Sequence, residues 1–296
     1  LKVGLFTDAF PGLSLEGVLE WLAAELPSVE EVEIATGGYS PAPHCDRSRL
    51  LEDEQARSAW LDAIESPGFR LAALNVSGNP LSSPEDDLAL RETIALAGLL
   101  GVDRIVCMSG GRAELSGGAW FPGIEEAVER YWVDRVLPYW AEIAQVAAEQ
   151  PTLRLCFELE PGAAAFNVST VERLLALGPT LAVNLDPSHF FWQAIDPLAA
   201  VRRLGGRIGF AHGKDTVLDA ERVAIDGTLD RAAWRYATVG HGRGLGWWRA
   251  FAEELRGAGY DGVISIEYED PRVAADVSVV EAAGVLAQAI AQQVVR

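Results

Sequence analysis

Residues 181–193 read "LAVNLDPSHFFWQ". The opening apolar run lacks the three-to-four spacing of a surface helix and has the length of a strand buried on both faces. Asp186 and Pro187 then stop it, in the pattern that caps a following helix. A strand buried on both faces belongs to a parallel sheet covered by crossover helices, so the flanking sequence should repeat the same grammar.

It does so on both sides. Strand patterns occur at "VGLFTD" (3–8), "EVEIAT" (31–36), "RLAALNV" (70–76), "RIVCMS" (104–109), "RLCFELE" (154–160), "LAVNLD" (181–186), "RIGFAH" (207–212) and "GVISIE" (262–267). Helical periodicity follows each of them, over 14–26, 48–65, 85–100, 123–149, 168–177, 195–204, 246–258 and 276–294. Eight βα units without a composition break predict one domain, residues 1–296, folded as an α/β single (β/α)8 TIM barrel. An open doubly wound sheet would carry a phosphate-binding glycine turn after its first strand, and "TDAFPG" has none.

Composition narrows the partners. Lys and Arg number 24 against 43 Asp and Glu, a formal charge of -19, which repels phosphate backbones and anionic lipid. Neither a nucleic acid nor a membrane is an expected partner. Cys45, Cys107 and Cys156 make an odd set without CxxC spacing, so no disulfide framework is implied. The opening "LKVGLFTDAF" is too short an apolar run for a secretory core or a membrane span, and the expected location is cytoplasmic.

Residues at the C-terminal ends of barrel strands converge on one mouth however far apart they lie in sequence. Four consecutive strands deliver Glu158 and Glu160, Asp186 with His189 just beyond it, His212, and Glu267. Each alone is more often a satisfied polar group, a helix cap or a solvated rim charge than a ligand: Asp186 as the cap in "LDPSH", Glu267 as part of the acidic run "EYED". Together they would repel one another strongly unless a cation intervened. Three carboxylates and one imidazole from these strand ends suit Mn2+ or Mg2+, with Co2+ or Zn2+ as the remaining candidates. Two long connections, 36–47 and 213–244, bring His44 and His241 over the same mouth, and Lys214 and Asp215 follow His212 directly. These four are candidate substrate contacts. The glycine-rich "GHGRGLG" (240–246) lacks a Walker lysine and reads as a flexible loop.

The motifs "GGYSPAPH" (37–44), "LNVSGNPL" (74–81), "FELEPG" (157–162), "NLDPSHFFWQAIDP" (184–197), "FAHGKD" (210–215) and "GYDGVISIEYEDP" (259–271) together resemble the sugar phosphate isomerase/epimerase group of xylose-isomerase-like TIM barrels. The resemblance spans nearly the whole chain and implies a metal-ligand set of Glu158, Asp186, His212 and Glu267. It implies that Glu158 and Glu267 also move the substrate's proton, and that His189 touches substrate oxygens. The family's usual Glu-x-His-Pro is "ELEP" here, with Glu160 in the histidine position. The implied function is a metal-dependent isomerase or epimerase of a small carbohydrate or sugar-like keto compound, working through a metal-stabilised enediolate. The alternative is a lyase built on the same enolate, which would admit a small partner subunit; a homo-oligomer stays open for either. The apurinic-site endonuclease of the same superfamily relies on a histidine-rich multi-zinc site and DNA, which four histidines and the charge of -19 oppose.

Overall fold

The computed structural model of the chain describes residues 1–115 and 121–291. In chain order the strands are β1 (Lys2–Phe6), β2 (Val29–Ala35), β3 (Arg70–Asn75), β4 (Arg104–Met108), β5 (Arg154–Glu158), β6 (Leu181–Leu185), β7 (Ile208–Gly213), β8 (Asp215–Leu218), β9 (Trp234–Ala237) and β10 (Val263–Ile266). Eight of them close a parallel barrel in the order β1-β10-β7-β6-β5-β4-β3-β2, while β8 and β9 form a separate antiparallel pair. The fold expected from the sequence is the one observed. All eight barrel strands reach the same rim with their C-terminal ends.

Two packed regions hold this frame. Between strands and helices lies the main core, where Leu5, Leu22, Ile34, Trp140, Phe157, Trp248 and Phe251 are fully buried. The barrel's own interior is filled by a layer of mostly small side chains, Ala73, Val106, Cys156, Ala182 and Val263, around Phe210. Gly209 belongs to that layer because a Cβ there would lie 2.7 Å from Cys156 Sγ and 2.9 Å from Ala182 Cβ. The tight filling closes the barrel axis below the rim, which leaves the rim as the place for a site. All three cysteines are buried and free.

The departures from the sequence reading have local causes. Residues 48–65 form two helices, Arg47–Glu52 and Glu54–Glu65, because Asp53 turns extended and its side chain caps Gln55 and Ala56. Residues 123–149 carry a π turn, Trp132–Val136, ahead of Pro138, whose ring cannot continue an ordinary hydrogen-bonded ladder. The last helix is Ala275–Ile290, and the expectation of helix beyond 291 lies outside the described residues. The long connection after β7 is not open loop: β8, the helix Ala220–Asp226 and β9 fold across the rim. No helix among the described residues is long and apolar enough to cross a membrane.

Candidate metal centre and active site

Glu158 ends β5, Asp186 follows β6, His212 lies near the end of β7 and Glu267 follows β10. Each offers one ligand atom, and these atoms all lie within 4.8 Å of one another. The barrel register brings them near one level: Glu158 is level with Asn184 and His212 with Ser265, and Asp186 and Glu267 lie two residues farther along those two strands' paths. Three of the four are buried, and Glu267 is partly exposed toward the mouth.

The two readings of Asp186 are both realised, on different oxygens. Its Oδ1 accepts from the Ser188 amide at 2.8 Å and starts the short helix Pro187–Phe191. Its Oδ2 is buried, accepts no aligned hydrogen bond, and points into the cluster. A buried acceptor left over beside two glutamates and an imidazole is the donor chemistry of a hard divalent ion, so the residues present fit one.

His212 is aimed by a residue that the strand pattern did not single out. Its Nδ1 faces the cluster, 3.0 Å from Glu267 Oε2, while its Nε2 lies 3.1 and 3.2 Å from the two oxygens of Glu33. Glu33, on β2, is fully buried and also accepts from Asn75 Nδ2 at 2.8 Å and Ser265 Oγ at 2.7 Å. With three donors around it, Glu33 accepts a proton-bearing Nε2 and leaves the Nδ1 lone pair for a metal. Burial lowers the His212 pKa, but Glu33 and Glu267 outweigh it and hold the imidazole well above the ordinary histidine range. Glu33→Gln should weaken Mn2+ binding by about 10- to 100-fold in a chelator competition. Unchanged affinity would show that Glu33 does not orient the ligand.

Lys214 sits inside the cluster, 2 % exposed at its side chain. Its Nζ lies 2.6 Å from Glu267 Oε2, 2.9 Å from Glu269 Oε2 and 3.1 Å from Asp186 Oδ2. Burial pushes the ammonium down, and Asp186, Glu267, Glu269 and Glu158 more than reverse this. Glu158 shows the mirror image: burial raises its carboxyl, while hydrogen bonds from His189 and His212 and the charge of Lys214 hold it well below the usual range. His189 Nε2 lies 2.9 Å from Glu158 Oε1, and Tyr236 of β9 fixes the other face of that ring through its hydroxyl, 2.8 Å from Nδ1.

Three predicted substrate contacts are not brought to the cavity. His44 is buried behind it, its ring nitrogens 2.9 Å from Thr7 Oγ1 and 3.2 Å from the Leu13 carbonyl, where it ties the 36–47 connection to the end of β1. His241 lies on the outside, 2.8 Å from Glu281. Asp215 is fully buried and turned away: Oδ1 accepts from Thr216, and Oδ2 from the amides of Gly240, Gly242 and Arg243 at 2.8–3.1 Å. The glycine-rich 240–246 segment is therefore an anion nest, filled by the chain's own carboxylate rather than by phosphate. Burial raises the Asp215 carboxyl despite these bonds. Asp215→Ala would leave the amides facing an apolar void, and we expect about 2–4 kcal/mol lower stability in urea unfolding. A loss below about 0.5 kcal/mol would contradict this role.

The aromatic run after Asp186 packs rather than lines the cavity. Trp192 stacks on Trp234 at 4.4 Å and Phe191 meets Trp247 at 4.9 Å. The cavity, about 270 Å³, is bounded instead by residues from both sides of the rim, among them Asp8, Tyr39, Asn75, Glu160 and Glu269. Asp8 had no signal beyond its place at the end of β1, and Tyr236 lay in a segment that showed no strand pattern.

Comparison with known proteins agrees with the fold. The model of the family described as xylose isomerase-like TIM barrel matches residues 29–290. A Bacillus subtilis (strain 168) protein named as uncharacterized protein YfiH is 33% identical, with 99% of this chain and 100% of that one covered. Among solved structures, the probable 3-DHS dehydratase AsbF from Bacillus anthracis superposes with a TM-score of 0.69 at 16% identity, covering 97% of this chain and 98% of that one. An L-ribulose 3-epimerase does so with a TM-score of 0.61 at 16% identity, covering 98% and 94%.

Proposed function

The chain belongs to the xylose isomerase-like TIM barrel family, and from that premise we propose that it is a divalent-metal-dependent isomerase or epimerase of a sugar-like keto compound. The observation that carries this reading is the convergence of Glu158, Asp186, His212 and Glu267 within 4.8 Å at the rim. These four would hold Mn2+ or Mg2+. Such an ion, when bound, supplies Lewis acidity toward a carbonyl and offsets the negative charge that develops next to it.

The remaining steps belong to side chains. Glu158 and Glu267 stand at opposite sides of the cluster, on β5 and after β10, so one can remove a proton from the carbon beside the carbonyl and the other can return one. His189 lines the cavity with its ring fixed between Glu158 and Tyr236, where a substrate oxygen can take over one of those two contacts. The hairpin that carries Tyr236 and the stacked Trp192–Trp234 pair close the rim on that side and limit water.

A chelated and Mn2+-reconstituted protein in deuterated buffer, offered ketoses, keto-inositols and 3-keto-glycosides, should place solvent deuterium on the carbon beside the carbonyl. A hydride shift, with the label fully retained, would contradict the reading. Loss of water or of an aglycone in the product mass would turn it into a lyase. With His44 and His241 away from the cavity, the acid for such a step would have to be His189 or Lys214.

A further inference from the structure

The proposal below rests on the reading just given, and concerns which compounds its cavity can hold. The charges of the lining are lopsided. Asp8, Glu158, Glu160, Glu267 and Glu269 face the space, and Lys214 is its one lysine, with no arginine among the lining residues described. An ammonium carries three protons. One of them goes to Glu269 at 2.9 Å, and oxygens of Glu267 and Asp186 stand 2.6 and 3.1 Å from the nitrogen, so its charge is already committed to three of the chain's own carboxylates.

A dication among Glu158, Asp186 and Glu267 would leave one negative charge there, which Lys214 offsets. Asp8, Glu160 and Glu269 then remain. Glu269 shares Lys214, but the other two have no cation. Asp8 takes a hydrogen bond from the Ser40 hydroxyl on Oδ2, while its Oδ1 is buried without a partner. The Glu160 carboxylate makes no hydrogen bond or ion pair with any described residue. In barrel order β1 and β5 are diametrically opposite, so Asp8, just past β1, and Glu160, just past β5, flank the mouth from two sides.

Ionised carboxylates only accept hydrogen bonds. A compound lying between Asp8 and Glu160 must therefore bring donors to both. Hydroxyl groups satisfy this and a protonated amine satisfies it better, because its charge is also opposite. A phosphate or carboxylate brings further acceptors and like charge into a space with no free cation. We propose that the cavity takes a polyhydroxylated keto compound bearing no phosphate or carboxylate, and that it holds an amine-bearing member more tightly than the matching hydroxyl compound.

The test is calorimetric titration of the Mn2+-loaded protein with three matched ligands: a free hexulose, its terminal phosphate, and amino-deoxy-hexuloses carrying the amine at either end. The phosphate should bind at least about thirtyfold more weakly than the free sugar, and the better amino sugar at least about fivefold more tightly. Both gaps should narrow in high salt. In Asp8→Asn/Glu160→Gln the phosphate penalty should shrink by about tenfold and the amine preference should vanish. If the double variant does not fold, Glu160→Gln alone should still halve both effects on a logarithmic scale. Equal or tighter binding of the phosphate overturns the proposal, as do an amine that brings no gain, selectivity unmoved by the variants, and failure of both uncharged and amino ligands to bind. The binding order is read without turnover. A correct order without solvent hydrogen exchange would therefore sink only the proton-transfer reading, and exchange on the phosphorylated sugar would sink only this one.

Discussion

Glu158→Gln and Glu267→Gln should each lower the rate of substrate interconversion by about a thousandfold, or about 4 kcal/mol of barrier, at saturating Mn2+. The substitution keeps the size and most hydrogen bonds of the side chain and removes its ability to take a proton. Hydrogen bonds from His189 and the charge of Lys214 keep Glu158 anionic against the effect of burial, so the wild-type residue starts as an acceptor. Because the two glutamates are placed on different strands around the cluster, each variant should lose one half-reaction only. Glu158→Gln should still exchange the solvent-labile hydrogen of one epimer, and Glu267→Gln that of the other, when deuterium uptake is followed by NMR. Loss of exchange from both epimers in both variants, with metal content restored, would mean that the glutamates serve as ligands without serving as bases.

How much of this was legible in the sequence follows from the range over which each interaction acts. Strand and helix patterns are local, and the eight βα units were readable because most strands are short apolar runs and many helices open on a capping side chain. The four clustered residues were readable for a related reason: the barrel's symmetry turns a position along the chain, the end of a strand, into a position in space. Glu33 breaks that link. It lies two residues before the end of β2 and reaches His212, which is 179 positions away, across the barrel interior. Its strand gave no local sign, because Glu30 and Glu31 precede it there, one exposed and one half-buried, and nothing in the pattern sets Glu33 apart from them. His44, His241 and Asp215 failed for the converse reason, since a loop's path is set by what it packs against. Asp215 follows Lys214 directly, yet alternation along β8 turns it to the other side, into the amides of 240–243.

Lys214→Met should destabilise the chelated protein by about 3–5 kcal/mol, and the Mn2+-loaded protein by less than half as much. In the chelated state the ammonium is the only lysine or arginine charge within 4.0 Å of Glu158, Asp186 or Glu267 among the described residues. Removing it strands buried carboxylates, and methionine of similar length can fill the space but not the charge. A dication would restore attraction to the same three oxygens, so the variant should gain more stability from Mn2+ than the wild type does. The pH dependence has a defined sign. The folded pKa of Lys214 is raised, so its contribution is fully present below the unfolded value of about 10.4 and is lost only as pH rises through the still higher folded value. The deficit of the variant should therefore be level across neutral pH. Urea unfolding of both proteins, chelated and Mn2+-loaded, measures all four free energies. An equal deficit in the two conditions would place the ion somewhere other than among Glu158, Asp186, His212 and Glu267, since an ion held by those carboxylates cannot be indifferent to a cation 2.6 Å from one of them.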